Sequence, residues 1–215
     1  MSALVWDATG ERLFETGVDH GVLYVSNGTG YDTGVVWNGL TGVTNSPDGA
    51  EPTDLWADNI KYATLRSAET FGATIEAYTY PDEFAECDGS ATVATGVYIG
   101  QQTRKAFGFC YRTKVGSDTD TDATKYKIHV IYNATASPSE RAYETVNDSP
   151  DAITFSWEIT TTPVNVTGYK PTSEIVINAW ELDSAKKTAL ENMLYGSDNT
   201  EATLPDPDTL LALVS

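Results

Sequence analysis

Three aspartates at alternate positions are the first residues of this chain whose spacing suggests chemistry. Asp118, Asp120 and Asp122 follow the start of a calcium-binding loop, in which alternate carboxylates bind the ion. That pattern also requires a glycine at the sixth position and a glutamate at the twelfth, and these positions hold Ala123 and His129. We therefore interpret residues 116–124 as a polar hairpin tip and predict no metal site there.

Histidine and cysteine do not supply an alternative site. His20 and His129 are far apart in the sequence, and neither has the cluster of further ligands that a zinc site needs. Cys87 has no neighbouring histidine or basic residue to activate its thiolate. Cys110 lies in the apolar run AFGFCY, where a thiol packs as a small hydrophobe. We expect both thiols to be free.

Motifs for nucleophilic or phosphate-binding chemistry are also missing. The sequence contains no G-x-S-x-G elbow, no G-x-G-x-x-G and no Walker lysine motif. Neighbouring acids are frequent, but in a chain with 31 Asp and Glu their proximity in sequence carries no information. We predict no catalytic residue and no cofactor, and we expect that the protein is not an enzyme.

Length, charge and apolar content are those of one acidic domain. The chain has 215 residues, 40% of them hydrophobic, which is enough for a single sizeable core. Its net charge of −18 favours solubility and repels nucleic acid. There is no run of 18 apolar residues, so we expect no membrane span. The start, MSALVWDATGERLFETG, lacks the basic and apolar regions of a secretory signal, so we expect none.

Short runs rich in Thr, Val, Ile and Tyr predict a mainly β protein. In ATIEAYTY, Ala73, Ile75 and Ala77 alternate with polar residues that include Glu76, which is typical of a half-exposed strand. The short connection AETFG joins this strand to the predicted strand 60–67 and favours antiparallel pairing between them. The predicted strands are 22–27, 33–43, 60–67, 73–80, 95–101, 105–115, 125–133, 153–167 and 174–180.

The C-terminal region contains one segment with a helical pattern. LDSAKKTALENMLYG has an N-cap at Asp183 or Ser184, an apolar stripe and a glycine stop, and it predicts a helix at about 183–195. The C-terminal arm, residues 197–215, lacks the length for another helix but ends in an apolar cluster. This cluster would gain by docking on its own subunit or on a neighbour. The candidates for this docking are Leu204, Leu210, Leu211 and Leu213.

Together these elements predict an antiparallel β-sandwich or barrel with one flanking α-helix. Its most unusual segment is the long loop 44–59, which contains NSPDGAEPTDLWADN. Two prolines, a glycine and four acids favour a loop, and long loops in compact domains are usually functional or disordered. Trp56 argues against plain disorder, so it docks either on another protein or on its own core.

Three stretches resemble the major tail proteins, or tail tube proteins, of long non-contractile-tailed bacteriophages. The first is GVTNSPDGAEPTDLWADNIKY with FGATIEAYTYPDEFAECDG. The second begins GFCYRTKV and continues with KYKIHVIYNATASPSERAYETVNDSPDAITFSWEITTTPV, and the third is LENMLYGSDNTEATLPDPDTLLAL. The resemblance extends from about residue 17 to the end of the chain, in similar order and spacing. It implies a single tail tube domain over residues 1–215.

The resemblance implies a structural virion protein that assembles into hexameric rings, which stack into a hollow tube. The tube would enclose the tape measure protein, conduct genomic DNA without tight binding, and end at tail terminator and distal tail proteins. The protein would be part of the phage tail and would assemble in the host bacterial cytoplasm. Loop 44–59 then becomes a candidate ring-to-ring contact, with Asn45, Pro47, Asp48, Pro52, Leu55 and Trp56 as its candidate residues.

The acidic charge also has an interpretation within such a tube. An acidic lumen would repel DNA phosphates and keep the genome from adhering as it passes. Glu76 faces away from Ile75 and Ala77 and is a candidate lumen residue. The alternative from a different class is a surface-displayed adhesin or carbohydrate-binding β-sandwich, in which Tyr and Trp side chains on strands stack on sugars. Such a module would stay monomeric or form small oligomers.

Overall fold

A computed structural model describes residues 3–49, 51–143, 145 and 151–215 of the chain. The described residues form three helices, α1 (Phe84–Cys87), α2 (Ser184–Tyr195) and α3 (Pro207–Val214). They also form fourteen strands: β1 (Leu13–Val25), β2 (Val35–Trp37), β3 (Leu40–Asn45), β4 (Asp48–Gly49), β5 (Pro52–Ala57), β6 (Ile60–Arg66), β7 (Glu69–Thr70), β8 (Gly72–Ala77), β9 (Ala91–Ala94), β10 (Val97–Ile99), β11 (Phe107–Ser117), β12 (Lys125–Ala136), β13 (Phe155–Thr161) and β14 (Glu174–Asn178).

The main sheet contains eight strands and is antiparallel. Seven follow the order β2-β1-β11-β12-β13-β8-β3, and β14 also pairs with β12. The length of β12 allows this branching, because Lys127–Ile131 pairs with β14 and Ala134–Ala136 pairs with β13. The sheet folds over so that β8 and β13 pack against β1, β11 and the end of β12. The mainly β, sandwich-like prediction is confirmed, and the sheet does not close into a barrel.

The first core lies inside the folded sheet and is centred on aromatic side chains. The ring of Trp37 lies 4.5 Å from that of Phe84 and 5.5 Å from that of Trp157. Its indole N–H donates to the carbonyl oxygen of Thr79 at 2.9 Å, so the polar atom is satisfied inside the core. Strand β8 supplies buried Ala73, Ile75 and Ala77 while Glu76 stays exposed, which confirms the alternation predicted for this strand.

The second core lies on the other face of β1, β11 and β12, beneath α2. Its helical residues Leu190 and Leu194 pack on strand residues such as Val130. The Asp183 side chain accepts hydrogen bonds from the backbone N–H groups of Ala185 and Lys186 and caps the helix. The predicted flanking helix is therefore confirmed, with its bounds at Ser184 and Tyr195.

The C-terminal arm contains helix α3, so the prediction that the arm is too short to form a helix is wrong. Asp206 caps α3 by accepting from the backbone N–H and the hydroxyl of Thr209, at 3.0 and 2.7 Å. Pro207 occupies the first turn, where a missing N–H costs nothing. Leu210 is buried in the second core. Eight residues suffice because packing on α2 and the sheet supplies stability that an isolated helix of this length lacks.

The predicted long loop 44–59 is also wrong, because most of it is strand. Strand β3 extends to Asn45, β4 covers Asp48–Gly49, and Pro52–Ala57 is β5, paired with β6; residue 50 lies outside the described residues. Asp58 and Asn59 have φ angles of 50° and 65° and form a two-residue hairpin turn of the type that suits twisted strands. Aspartate and asparagine tolerate this left-handed backbone, so the acids and turn residues do not prevent strand formation.

Two further strand predictions are wrong in detail. Strands 60–67 and 73–80 were expected to pair, whereas β6 pairs with β5 and β8 pairs with β3 and β13. The stretch 33–43 divides into β2 and β3, and Gly39 between them has a φ of 74°, which a residue with a side chain rarely adopts. Within the described ranges, no helix has the length and apolar character needed to cross a membrane.

Candidate functional site

Two of the three aspartates of the hairpin tip accept hydrogen bonds from neighbouring segments. The Asp118 carboxylate accepts from the backbone N–H of Gly10 at 2.9 Å. Asp120 accepts from the backbone N–H of Thr124 at 3.2 Å and from its hydroxyl at 2.6 Å. Across the described part of the chain, no group of three or more His, Cys, Asp or Glu side chains could hold a metal ion. Asp120 therefore stabilises the connection between β11 and β12, and Asp118 joins that connection to the segment before β1.

The buried histidine and the two thiols lie inside the body of the fold. The ring of His129 stacks on that of Tyr111 at 4.6 Å, and its Nε2 lies 3.0 Å from the hydroxyl of Thr113. Cys87 belongs to the first core and Cys110 to the second, on opposite faces of the sheet. Burial raises the pKa of each thiol to about 12, so neither is an activated nucleophile at neutral pH. The prediction of free thiols is confirmed.

The hairpin formed by β5 and β6 is almost entirely exposed. Twelve of its thirteen strand residues are exposed, although it contains Leu55, Trp56, Ile60, Tyr62 and Leu65. A two-stranded hairpin is marginally stable in water unless a third strand or another surface covers it. An apolar hairpin that projects in this way has the properties of a contact surface.

The two faces of this hairpin differ in chemistry. Cross-strand partners share a face, and the register pairs Thr53 with Leu65, Leu55 with Ala63 and Ala57 with Ile60. These six residues form a face without any charge, which we call the apolar hairpin face. Tyr62 is the extra residue in β6, where the register shifts.

The opposite face of the hairpin is polar. The Asp54 carboxylate accepts from the ammonium of Lys61 at 2.8 Å and from the hydroxyl of Thr64 at 2.8 Å. These contacts lower the pKa of Asp54, the Lys61 contact most. Trp56 lies on this side, paired with Lys61, and 68% of it is exposed, so it does not fold back onto its own core. Asp54, Lys61 and Thr64 therefore supply a face that water solvates, while the apolar hairpin face has no such partner.

The sequence-derived contact candidates are thus divided among different elements. Asn45 belongs to the body, where its amide donates to Glu174 at 3.3 Å. Pro47 and Asp48 lie in the exposed connection that leads to the hairpin, and Pro52 begins β5. Leu55 and Trp56 lie on opposite faces of β5, so they cannot contact one flat partner surface together.

Ile60 and Leu65, which are not among the sequence-derived candidates, complete the apolar hairpin face with Leu55. The signal was the dipeptide Asp58–Asn59 between two runs of strand-forming residues. It was overlooked because the prolines and acids around it are typical of loops.

The C-terminal candidates pack within their own subunit. Leu204 and Leu210 are buried in the second core, and Leu213 packs partly buried against it. Leu211 is half-buried. The ammonium of Lys186 on α2 also contacts the backbone carbonyl of Ser215.

Glu76 lies on a polar sheet face that contains a second acid. It projects from β8 between Gly42 of β3 and Ser156 of β13. Glu158, paired with Thr74, is exposed on the same face of the neighbouring strand. The alternation of buried Trp157 and Ile159 with exposed positions was the sequence signal for Glu158. This surface is polar and acidic.

The comparisons with known proteins yield distant structural matches. No protein-family model matches the sequence, and no curated protein matches it either. One matching structure is the sheath/tube terminator of the extracellular contractile injection system PVC in its extended state, at 12% identity and a TM-score of 0.33. It covers 81% of this chain and 99% of the other chain.

A second match is the sheath-tube complex of the same system in its extended state, at 10% identity and a TM-score of 0.32. It covers 74% of this chain and 88% of the other chain. With TM-scores this low, the two matches provide no evidence about the function of this chain.

Proposed function

We propose that this protein is a structural, non-enzymatic component of a bacteriophage tail that assembles with itself into stacked hexameric rings and forms the tail tube. The observation that carries the proposal is the projecting hairpin β5–β6 with its uncovered apolar face. The resemblance of three sequence blocks to tail tube proteins supports the same function.

Exposure of the apolar hairpin face to water is unfavourable, and this supports a role for the hairpin in assembly. Leu55, Ile60 and Leu65 are 42%, 64% and 57% exposed on one face. Burying such side chains against another protein gains about 25 cal/mol for each Å² of apolar area removed from water. Contact with a second copy would also supply the packing that a lone two-stranded hairpin lacks.

The edges of the main sheet support a closed ring. The sheet begins at β2 and ends at β3, and each of these strands has one edge without a partner in the described part of the sheet. Unpaired edges promote uncontrolled aggregation unless they are covered or joined. Pairing between neighbouring copies around a ring would cover them, because a heterologous contact that closes on itself generates a ring.

The polar sheet face with Glu76 and Glu158 is the proposed wall of the lumen. Carboxylates facing a channel repel DNA phosphates, so a genome could pass without tight binding. The lumen would enclose the tape measure protein before ejection. Tail terminator and distal tail proteins would contact the two ends of the tube, and the particle would assemble in the cytoplasm of the host bacterium.

Sedimentation velocity over a concentration series tests the proposal. The expected result is a cooperative transition from a small species to hexamers and then to much larger particles. A parallel glycan-binding screen examines the alternative of a carbohydrate-binding module. A monomer at every concentration that also binds a glycan would overturn the tail tube proposal.

A further inference from the structure

A second hairpin, formed by β9 and β10, also projects from the body and has an unusual composition. Val93, Val97, Tyr98 and Ile99 are between 46% and 63% exposed. Residues 89–103 contain no charged side chain. At the average of 20% charged residues, a stretch of this length would hold about three. Loss of charge together with exposed aliphatic and tyrosine side chains is typical of the centre of a protein interface.

The base of this hairpin is held firmly to the body. The backbone N–H of Gln102 donates to the carbonyl of Gly89 at 2.9 Å, and that of Lys105 donates to the carbonyl of Glu86 at 3.1 Å. The Asp88 carboxylate, only 11% exposed, binds the guanidinium groups of Arg104 and Arg141. The body therefore presents the exposed strands in a fixed position, which lowers the entropic cost of binding a partner.

The two hairpins leave the main sheet at opposite ends of one strand. Hairpin β5–β6 is joined through β7 to the start of β8 at Gly72, whereas α1 and hairpin β9–β10 follow the end of β8 at Ala77. Six residues of strand at about 3.3 Å per residue separate these exits by roughly 20 Å. A copy of the chain thus has one apolar hairpin at each end of β8.

We infer that the uncharged hairpin β9–β10 is the surface that receives the apolar hairpin face of β5–β6 from a second copy. The inference rests on the proposed self-assembly and identifies the two surfaces that meet between rings. Because the two surfaces are different parts of the chain, the contact between copies is heterologous and can repeat from head to tail, as an open stack requires.

The distribution of charge favours another copy of this chain as the partner that binds hairpin β9–β10. Each copy has a net charge of −18, so two copies repel each other over most of their surfaces. The β9–β10 stretch contributes no charge, and the apolar hairpin face contributes none either. Two copies that approach through these surfaces avoid placing like charges in contact and bury apolar area on both sides.

Within hairpin β9–β10, the register identifies the side chains to change. Val97 pairs with Ala94 and Ile99 pairs with Ala91, and these four residues share one face. Thr92 and Tyr98 lie on the other face. Val97→Asp with Ile99→Asp should raise the critical concentration for long particles roughly tenfold or more, because each carboxylate would be buried without a partner. Thr92→Asp with Tyr98→Asp adds the same two charges to the opposite face and is the matched control, with a smaller expected effect.

Cross-linking identifies the partner surface directly. Cys87 and Cys110 are fully buried, so introduced cysteines would be the accessible thiols among the described residues. A Leu55→Cys protein and a Val97→Cys protein are treated with a short bis-maleimide, alone and mixed. Cross-linked dimers in the mixture, well above those in either protein alone, are the expected result.

The outcomes separate this inference from the proposed function. Tubes that form normally from the double Asp variant, without the mixed cross-link, would overturn the inference and leave the tail tube proposal intact. Dimers from Val97→Cys alone would show a symmetric hairpin contact and would also overturn it. Failure of the unaltered protein to form rings or tubes, with no mixed cross-link, would overturn both.

Discussion

Removal of the apolar hairpin face should weaken assembly by a predictable amount. In the triple variant Leu55→Thr, Ile60→Thr and Leu65→Thr, threonine keeps the strand preference of the hairpin while it shortens the apolar side chains. The exposed fractions of 42%, 64% and 57% correspond to roughly one and a half fully exposed side chains. At about 2 kcal/mol for each buried side chain, the contact loses about 3 kcal/mol, or roughly a hundredfold in association constant.

The assay is the critical concentration for particle formation, measured by pelleting and by light scattering. The triple variant should need roughly a hundredfold more protein. Its thermal midpoint should stay close to that of the unaltered protein, because the hairpin lies outside both cores. Tyr169→Thr removes a similar apolar side chain, 79% exposed, from a loop outside the two hairpins and is the matched control. An unchanged critical concentration in the triple variant would refute the assignment of this face.

Three further predictions concern the body of the fold. Leu210→Ala should lower the free energy of unfolding by about 2–5 kcal/mol in chemical denaturation, because Leu210 is fully buried in the second core; a loss below about 0.5 kcal/mol would contradict docking of α3. Cys87 and Cys110 should react with a maleimide at pH 7 only after denaturation, since burial holds the pKa of each near 12, and rapid labelling of the native protein would contradict their burial. Asp19→Asn should cost roughly 1 kcal/mol at pH 7. Burial raises the pKa of the Asp19 carboxyl, but the hydrogen bonds and the positive charge of Arg112 lower it by more. The net pKa of Asp19 therefore lies below its ordinary value. The stability that Asp19 supplies is therefore complete above its unfolded pKa near 4 and disappears as the pH falls through the lower folded value. A difference between the variant and the unaltered protein that stays constant down to pH 2 would contradict this account.

Helix α2 could be predicted from the sequence because its signals are local. Asp183 caps the first turn of the helix and Gly196 ends its last turn. Both residues are adjacent in sequence to the helix end that they determine. Helix α3 carries a similar signal in Asp206–Pro207 but was missed. Eight residues are too few for an independent helix, and the packing that stabilises them comes from elements far away in the sequence.

Strand pairing could not be predicted to the same extent. The alternation in β8 identified which of its side chains are buried, because period two is a property of the strand itself. Its partners β3 and β13 lie at very different distances along the chain, and nothing local in β8 selects them. The assumption that neighbours in sequence pair with each other therefore placed β6 beside β8 incorrectly.

The candidate surfaces were predictable in position but not in orientation. The sequence indicated that the region around Trp56 is unusual, and the structure places it on the almost entirely exposed hairpin β5–β6. Which side chains share a face depends on the register of β5 with β6 and on the extra residue Tyr62 in β6. The alternation along β5 separates Leu55 from Trp56, and the register places Ile60 and Leu65 on the same face as Leu55.

The proposal that copies of this chain build a hollow tube can be tested by negative-stain electron microscopy of the purified protein across a concentration series. We expect rings with sixfold end views and a central hole at moderate concentration, and hollow tubes built from stacked rings at high concentration. Compact monomers or closed dimers without a central hole at every concentration, also when preformed tail fragments are added as initiators, would contradict the proposal.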